Sequence, residues 1–170
     1  GLTIVGRVGE RQALRRSGAR DGDGLWATGV FGRSLPTGHH LDFEPRIAEG
    51  RWLGEQGLAG AMIDVSDGLL IDAGRLCRAS GVGLLLDTQA VPRRTPETTM
   101  EEALADGEDY ELLFAVPGEK EERLRREWPF RRLPLTRLGE FRSSASPGAF
   151  DPGGSPLVLH GPRGWDHFRR

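Results

Sequence analysis

A single cysteine, Cys77, stands among the 170 residues. No disulfide can form within the chain, and a reducing cytoplasm is the expected setting. No apolar run approaches the ~18 residues of a membrane-spanning helix, and no signal-like segment opens the chain. Neither sign of charge is in excess: 23 Lys and Arg against 25 Asp and Glu leave a formal net charge of −2. Bulk electrostatics therefore give no reason to expect a nucleic-acid partner or an anionic membrane surface. No internal repeat is evident. What remains is a composition of 37% hydrophobic and 28% charged residues, ordinary for a globular domain. The length suits one domain able to bury about two thirds of its unfolded surface.

Glycine and proline, by contrast, are plentiful, at 25 and 11. They are spread along the chain without a period, which reads as many turns and close backbone approaches. "LTIVGRVG" (2–9) reads as a strand and "GLWATGVFG" (24–32) as a strand running into a glycine turn. "RSLPTGHHLDFEP" reads as a loop, after which Pro45 opens a helix with Ile47, Trp52 and Leu53 on one face. "GAMIDVS" (60–66) is a strand and "DGLLIDAGRLCRASG" (67–81) a helix, with Leu69, Leu70, Ala73, Leu76 and Cys77 at helical spacing and Gly81 as its stop. "VGLLLDT" (82–88) is a further strand. The three together have the size of a strand–helix–strand crossover. The short helix "TMEEALADG", the strand "DYELLFAVP" and the charged helix "GEKEERLRREW" follow. Strands are expected near "LTRLGEF" and "PLVLH", separated by a flexible loop, "RSSASPGAFDPGGS". This mixture, with hairpin-like strands late in the chain, predicts an α+β fold, a mixed α/β sandwich.

The chemistry concentrates in "AMIDVSDGLLIDAGRLC", which sets Asp64, Asp67 and Asp72 in an apolar frame. Side chains alternate along a strand, so Asp64 and Ser66 share one face and Ile63 and Val65 the other. Asp67 falls in the turn at the strand's carboxyl end, where ligands of open α/β sheets gather. The following helix presents free N–H groups that suit phosphate. Two carboxylates beside a phosphate require a cation between them, and magnesium bridges carboxylates to substrate phosphates. The simpler reading makes Asp67 or Ser66 a helix cap eased by Gly68, but it leaves Asp64 unexplained. Asp72, one turn on, suits the helix dipole. An aspartyl-phosphate enzyme would separate its two aspartates by one residue; the spacing here is D-x-x-D.

"GEDYELLF" adds Gly107, which allows a tight approach, and Glu108 and Asp109 ahead of a buried strand; acidic residues at a strand start are often merely solvated. Arg15 and Arg16 are suited to phosphate, although an exposed arginine pair is usually surface. Adjacent His39 and His40 point oppositely in a strand and have no supporting cluster, so this loop reads as free of metal chemistry. Cys77 reads as a packed core thiol and the run 119–127 as a solvated helix face.

Three separated pieces, "ALRRSGARDGDGLWATG", "AMIDVSDGLLIDAGRLCRASGVGLLLD" and "ALADGEDYELLFAVP", resemble in order and spacing the C-terminal half of the thiamine-monophosphate kinase family. The terminal "GWDHF" is similar to that family's ending. The family belongs to the aminoimidazole ribonucleotide synthetase superfamily, whose members hold ATP and magnesium between two α/β domains. The resemblance implies magnesium (Mg2+) on Asp64 and Asp67, ATP contacts from Ser66 and Arg16, and thiamine contacts from Glu108 and Trp165. A thiazolium lying over an indole face would be favourable, although a tryptophan can equally anchor the tail. No acid/base residue is implied. Residues 1–9 resemble the last strand of an N-terminal ATP- and magnesium-binding domain that is otherwise absent, and residues 10–170 the C-terminal domain. The implied reaction is ATP-dependent phosphorylation of thiamine monophosphate to thiamine diphosphate, this chain supplying the C-terminal half of the site. The full-length enzyme would pair as a homodimer through its N-terminal domain. The alternatives are another ATP-using member of the superfamily with a different acceptor, and a non-catalytic docking module. The sequence departs from the family at "GVFGRSLPTGHHLDF", which is shortened and places Arg33 where Asp is usual.

Overall fold

The computed structural model describes residues 3, 5–9, 13–143 and 146–157. Its frame is a six-stranded sheet of β1 (Gly24–Thr28), β2 (Ala61–Asp64), β3 (Gly83–Leu86), β4 (Leu112–Val116), β5 (Leu135–Arg142) and β6 (Gly148–Phe150), in the order β2-β4-β1-β5-β3-β6. All neighbours are antiparallel except β3 and β6. The helices are α1 (Ser34–Thr37), α2 (His39–Asp42), α3 (Ile47–Glu55), α4 (Leu69–Ser80), α5 (Met100–Ala105) and α6 (Glu121–Glu127).

Alternation along the strands builds a core on each face of the sheet. Leu25, Ala27, Ile63, Leu113 and Ala115 point to one side, where Leu69, Ala73, Leu76 and Cys77 of α4 are wholly buried against them. Trp26, Phe114 and Val116 point to the other, against Leu53 of α3, Leu58, Leu124 of α6 and Trp128. Helices on both faces of a largely antiparallel sheet make this the α+β sandwich expected. The Cys77 thiol is packed as expected, and burial pushes its pKa up to about 11. No helix among the described residues is long and apolar enough to cross a membrane.

The helix read from "DGLLIDAGRLCRASG" forms as α4 and ends at Gly81, whose φ of 70° supplies the left-handed stop. β2 and β3 run the same way, but β4, β1 and β5 lie between them, so α4 crosses three strands rather than linking neighbours.

Four local expectations are corrected. Residues 3 and 5–9 carry no strand, and Val5 and Val8 are exposed; no strand among the described residues pairs with them, and an unpaired strand has no ladder to hold it. "RSLPTGHHLD" folds as the two single-turn helices α1 and α2 around Gly38 (φ 77°), with Thr37 Oγ1 donating to the Arg33 carbonyl at 2.7 Å. Ile47 is exposed while Leu53 is buried, so the face expected of α3 is narrower. "RSSASPGAFDPGGS" contains β6, which is paired to β3. The strand expected at "PLVLH" falls mostly outside the described residues; Pro156 forms one bridge to Phe150.

Candidate functional site

The β2–β4 ladder pairs Asp64 with Leu112 at its end, and backbone bonding continues beyond it into two loops. Val65 N–H donates to the Glu111 carbonyl, Tyr110 N–H to the Val65 carbonyl and Glu108 N–H to the Ser66 carbonyl, each at 2.8 Å. The two sequence motifs are thereby zipped together. The closeness depends on two glycines. A Cβ on Gly107 would lie 2.5 Å from the Ser66 carbonyl oxygen, and one on Gly68 (φ 123°) 2.6 Å from the Ala105 carbonyl oxygen. Gly107 thus acts as its sequence context predicts. Glu108 (φ 61°) and Tyr110 (φ 53°) adopt left-handed backbone that costs a non-glycine residue ~1–2 kcal/mol. Strain of this kind collects at functional sites.

Buried polar groups hold the strained loop. Asp109 is wholly buried, not solvated as its place at a strand start suggested. Both its oxygens accept from Gly32 N–H at 3.1 Å, and Arg94 Nη2 donates to it at 2.8 Å. Burial pushes its pKa up to about 6, against the opposing pull of Arg94. Arg94 also donates to the carbonyls of Gly32 and Val30. Ser34 Oγ donates to the Glu108 carbonyl at 2.6 Å, and His39 Nε2 lies 3.0 Å from the Asp109 carbonyl. A carbonyl only accepts, so that nitrogen carries the proton. His39 and His40 sit in α2 as loop braces, and the described residues contain no group of three or more His, Cys, Asp or Glu able to hold a metal. Behind the loop, Arg46 grips Glu111 bidentately at 2.7 and 2.8 Å, and Thr28 Oγ1 donates to Glu111 Oε2 at 2.6 Å.

Asp72 serves the loop rather than only its helix dipole. It is wholly buried, and its Oδ2 accepts from the N–H groups of both Ser66 and Asp67 at 3.0 Å. Burial raises its pKa, while these amides and Arg75 pull the other way. Arg75 forks between Asp72 Oδ1, at 2.5 Å, and Asp67 Oδ2.

Asp64 stands exposed at the end of β2 and Asp67 half-buried in the turn beyond it. Burial raises the pKa of Tyr110, and the carboxylates of Glu108, Asp64 and Asp67 raise it further. Its ring stacks on Phe43 with centroids 4.1 Å apart. Glu108 Oε2 is buried without a hydrogen-bond partner among the described residues. Carboxylate oxygens, one of them an orphaned buried atom, are hard donors and suit magnesium better than a softer metal. They do not form an all-protein cage, and magnesium commonly keeps several waters and takes substrate phosphates alongside one or two carboxylates.

Ser66 belongs to this cluster through its backbone. Arg16 does not join it locally: its carbonyl accepts from Ser80 Oγ at the far end of α4, a 12-residue helix about 18 Å long. Trp165 lies outside the described residues. A cleft of about 450 Å³ at the opposite end of β2 is lined by Arg20, Asp23, Gly60 and Lys120 among others, and none of the candidate residues borders it. Asp64 and Asp67 lie instead at and beyond the end of β2, an edge strand of the sheet. Sequence reasoning missed Arg94, Arg46, Glu111 and Arg75. Arg46, Arg75 and Arg94 lie where an arginine is ordinarily solvated; only the run "GEDYEL", with three acidic residues at a strand entrance, carried a signal for Glu111.

Known proteins resemble the chain along most of its length. Thiamine-monophosphate kinase of Escherichia coli O157:H7 is 32% identical over 194 residues, covering 98% of this chain and 59% of the relative. Thiamine-monophosphate kinase from Stenotrophomonas maltophilia K279a superposes with a TM-score of 0.76 at 29% identity, covering 88% of this chain and 56% of that one. A structure of AaThiL complexed with AMPPCP and TMP gives a TM-score of 0.69 at 30% identity, covering 91% and 54%. The chain thus spans little more than half the length of these proteins. Residues 4–150 match the family described as AIR synthase related protein, C-terminal domain. With that span holding the whole sheet and both zipped loops, the chain belongs to the AIR synthase related C-terminal domain family.

Proposed function

We propose that this chain supplies the C-terminal half of an active site that transfers the γ-phosphoryl group of ATP to thiamine monophosphate, giving thiamine diphosphate and ADP. The observation that carries the reading is the zipped pair of loops, which gathers Asp64, Asp67 and Glu108 at one edge of the sheet. Its likeness to thiamine-monophosphate kinases supports the choice of acceptor, as does the nucleotide analogue and TMP held by AaThiL.

The nucleophile is a phosphate oxygen of the acceptor. With a second pKa of about 6 it is largely ionised near neutrality, so no acid/base side chain is needed. Positioning and charge neutralisation carry phosphoryl transfer. Asp64 and Asp67 would hold magnesium, which when bound neutralises charge on the phosphates. The Ser66 loop and the N-terminus of α4 offer phosphate contacts, and Arg16 reaches a more distant part of the nucleotide. Glu108, its free oxygen buried, contacts the thiamine group, as does Trp165. Residues 1–9 join this domain to an ATP- and magnesium-binding portion corresponding to the part of the relatives that the chain does not span. That portion would also carry the homodimer contact. The single buried cysteine accords with a cytoplasmic setting.

The test is to measure ADP and thiamine diphosphate with this chain alone, then joined to the portion of the E. coli relative that it does not span. Both products are expected from the joined protein only. A folded joined protein that makes neither would overturn the kinase reading.

A further inference from the structure

Asp67, read above as a metal ligand, is already engaged by a cation. Arg75 Nη2 contacts Asp67 Oδ2, while Nη1 holds Asp72 Oδ1 at 2.5 Å. Asp72 and Arg75 are three residues apart on α4 and so share a face. The two arms of the fork meet different surroundings. Asp72 is wholly buried and pinned by two loop amides, so that arm is anchored. The Asp67 and Arg75 side chains are 20% and 34% exposed, so the other arm lies where solvent and ions reach it.

Holding the loop requires only Asp72, whose Oδ2 takes both amides without help from Arg75. The second arm does something else: it places a positive charge on the one Asp67 oxygen that the structure engages. A guanidinium and a divalent cation cannot both occupy that oxygen, because their like charges would sit within a few ångströms of each other. Deeper pairing would be hard to break, but this arm is open to solvent, which weakens it and keeps the exchange reversible.

We infer that Arg75 is a built-in counter-cation that a divalent ion must displace from Asp67, making it a positioning residue that sets how weakly the free ion binds. The inference rests on reading Asp67 as a metal ligand. After displacement the guanidinium keeps its Asp72 arm, so the loop geometry survives the exchange. Loss of the positive charge should tighten binding of the free ion, whereas loss of a purely structural clamp would weaken it.

The experiment titrates Mn2+ alone into this chain and follows paramagnetic broadening of the Ser66, Asp67 and Gly68 amide signals, which detects weak binding without turnover. Arg75→Gln should lower the Mn2+ concentration for half-broadening about tenfold. Arg75→Lys, which restores a cation, should stay within about twofold of wild type. If Arg75→Gln fails to fold because buried Asp72 loses its partner, the double variant Asp72→Asn/Arg75→Gln removes that charge and should show the same gain over Asp72→Asn. Equal half-broadening concentrations with and without Arg75, together with loss of broadening in Asp67→Asn, would overturn the inference and leave Asp67 a ligand. Broadening that survives Asp67→Asn, or is absent at these amides in every variant, would overturn the ligand reading and the inference with it.

Discussion

The N–H of Glu108 donates to the carbonyl of Ser66 at 2.8 Å, joining two segments far apart in the chain. The contact exists only because Gly107 leaves room, since a Cβ there would lie 2.5 Å from the Ser66 carbonyl oxygen. Gly107→Ala should therefore force the loops apart and lower unfolding free energy by about 1–3 kcal/mol. Urea unfolding measures it; a change below ~0.5 kcal/mol would mean that the loops separate at little cost.

Asp72→Ala removes the acceptor for two loop amides and leaves Arg75 with its half-buried partner Asp67. A loss of about 2–4 kcal/mol is expected. The sharper readout is amide hydrogen exchange. Ser66 and Asp67 should exchange far faster in the variant, while the amides of β1 keep their rank as the slowest. Unchanged protection at both positions would show that another group holds the loop.

Asp109 makes a pH prediction. Burial raises its pKa from 3.8 to about 6. Between those values the folded state holds a proton that the unfolded state has released, so stability falls as pH rises from about 4 to about 6 and is flat in this respect above that. Two pKa units correspond to on the order of 2–3 kcal/mol. Asp109→Asn, which stays neutral at every pH, should flatten this slope. Unfolding at pH 4.5, 5.5 and 6.5 checks it; an unchanged slope would assign the titration to another group.

Asp64 is exposed at its strand end. Asp64→Asn should change stability by less than ~0.5 kcal/mol yet reduce ADP formation by the joined protein about 100-fold or more. Near-wild-type turnover would remove Asp64 from the magnesium site.

Much of this was legible in the sequence. Spacing of apolar residues marked α4, and Gly81 marked its end, because helix periodicity and a left-handed stop are local properties. Alternation marked β1, β2 and β4. The aspartates of "IDVSDG" pointed to a cation and phosphate because few structural roles need carboxylates at a strand's carboxyl end, and the glycine of "GEDYEL" pointed to a tight backbone approach. The residues that hold the site were not legible. Arg94, Arg46 and Arg75 lie in ordinary polar stretches, and Asp109 reads as solvated at a strand entrance. Their roles depend on partners 15, 65, 3 and 77 positions away.

The sequence by itself thus determined α4 with its stop and the strands β1, β2 and β4, and singled out Asp64 and Asp67 as candidates, since these follow from side-chain type at short range. Only the tertiary structure decided that β4 lies beside β2, that the two loops zip together, and that Asp72 and Asp109 are buried supports while Asp64 faces solvent. The reason is physical: burial and hydrogen-bond partnership are set by what packs across the sheet, and no local pattern encodes that.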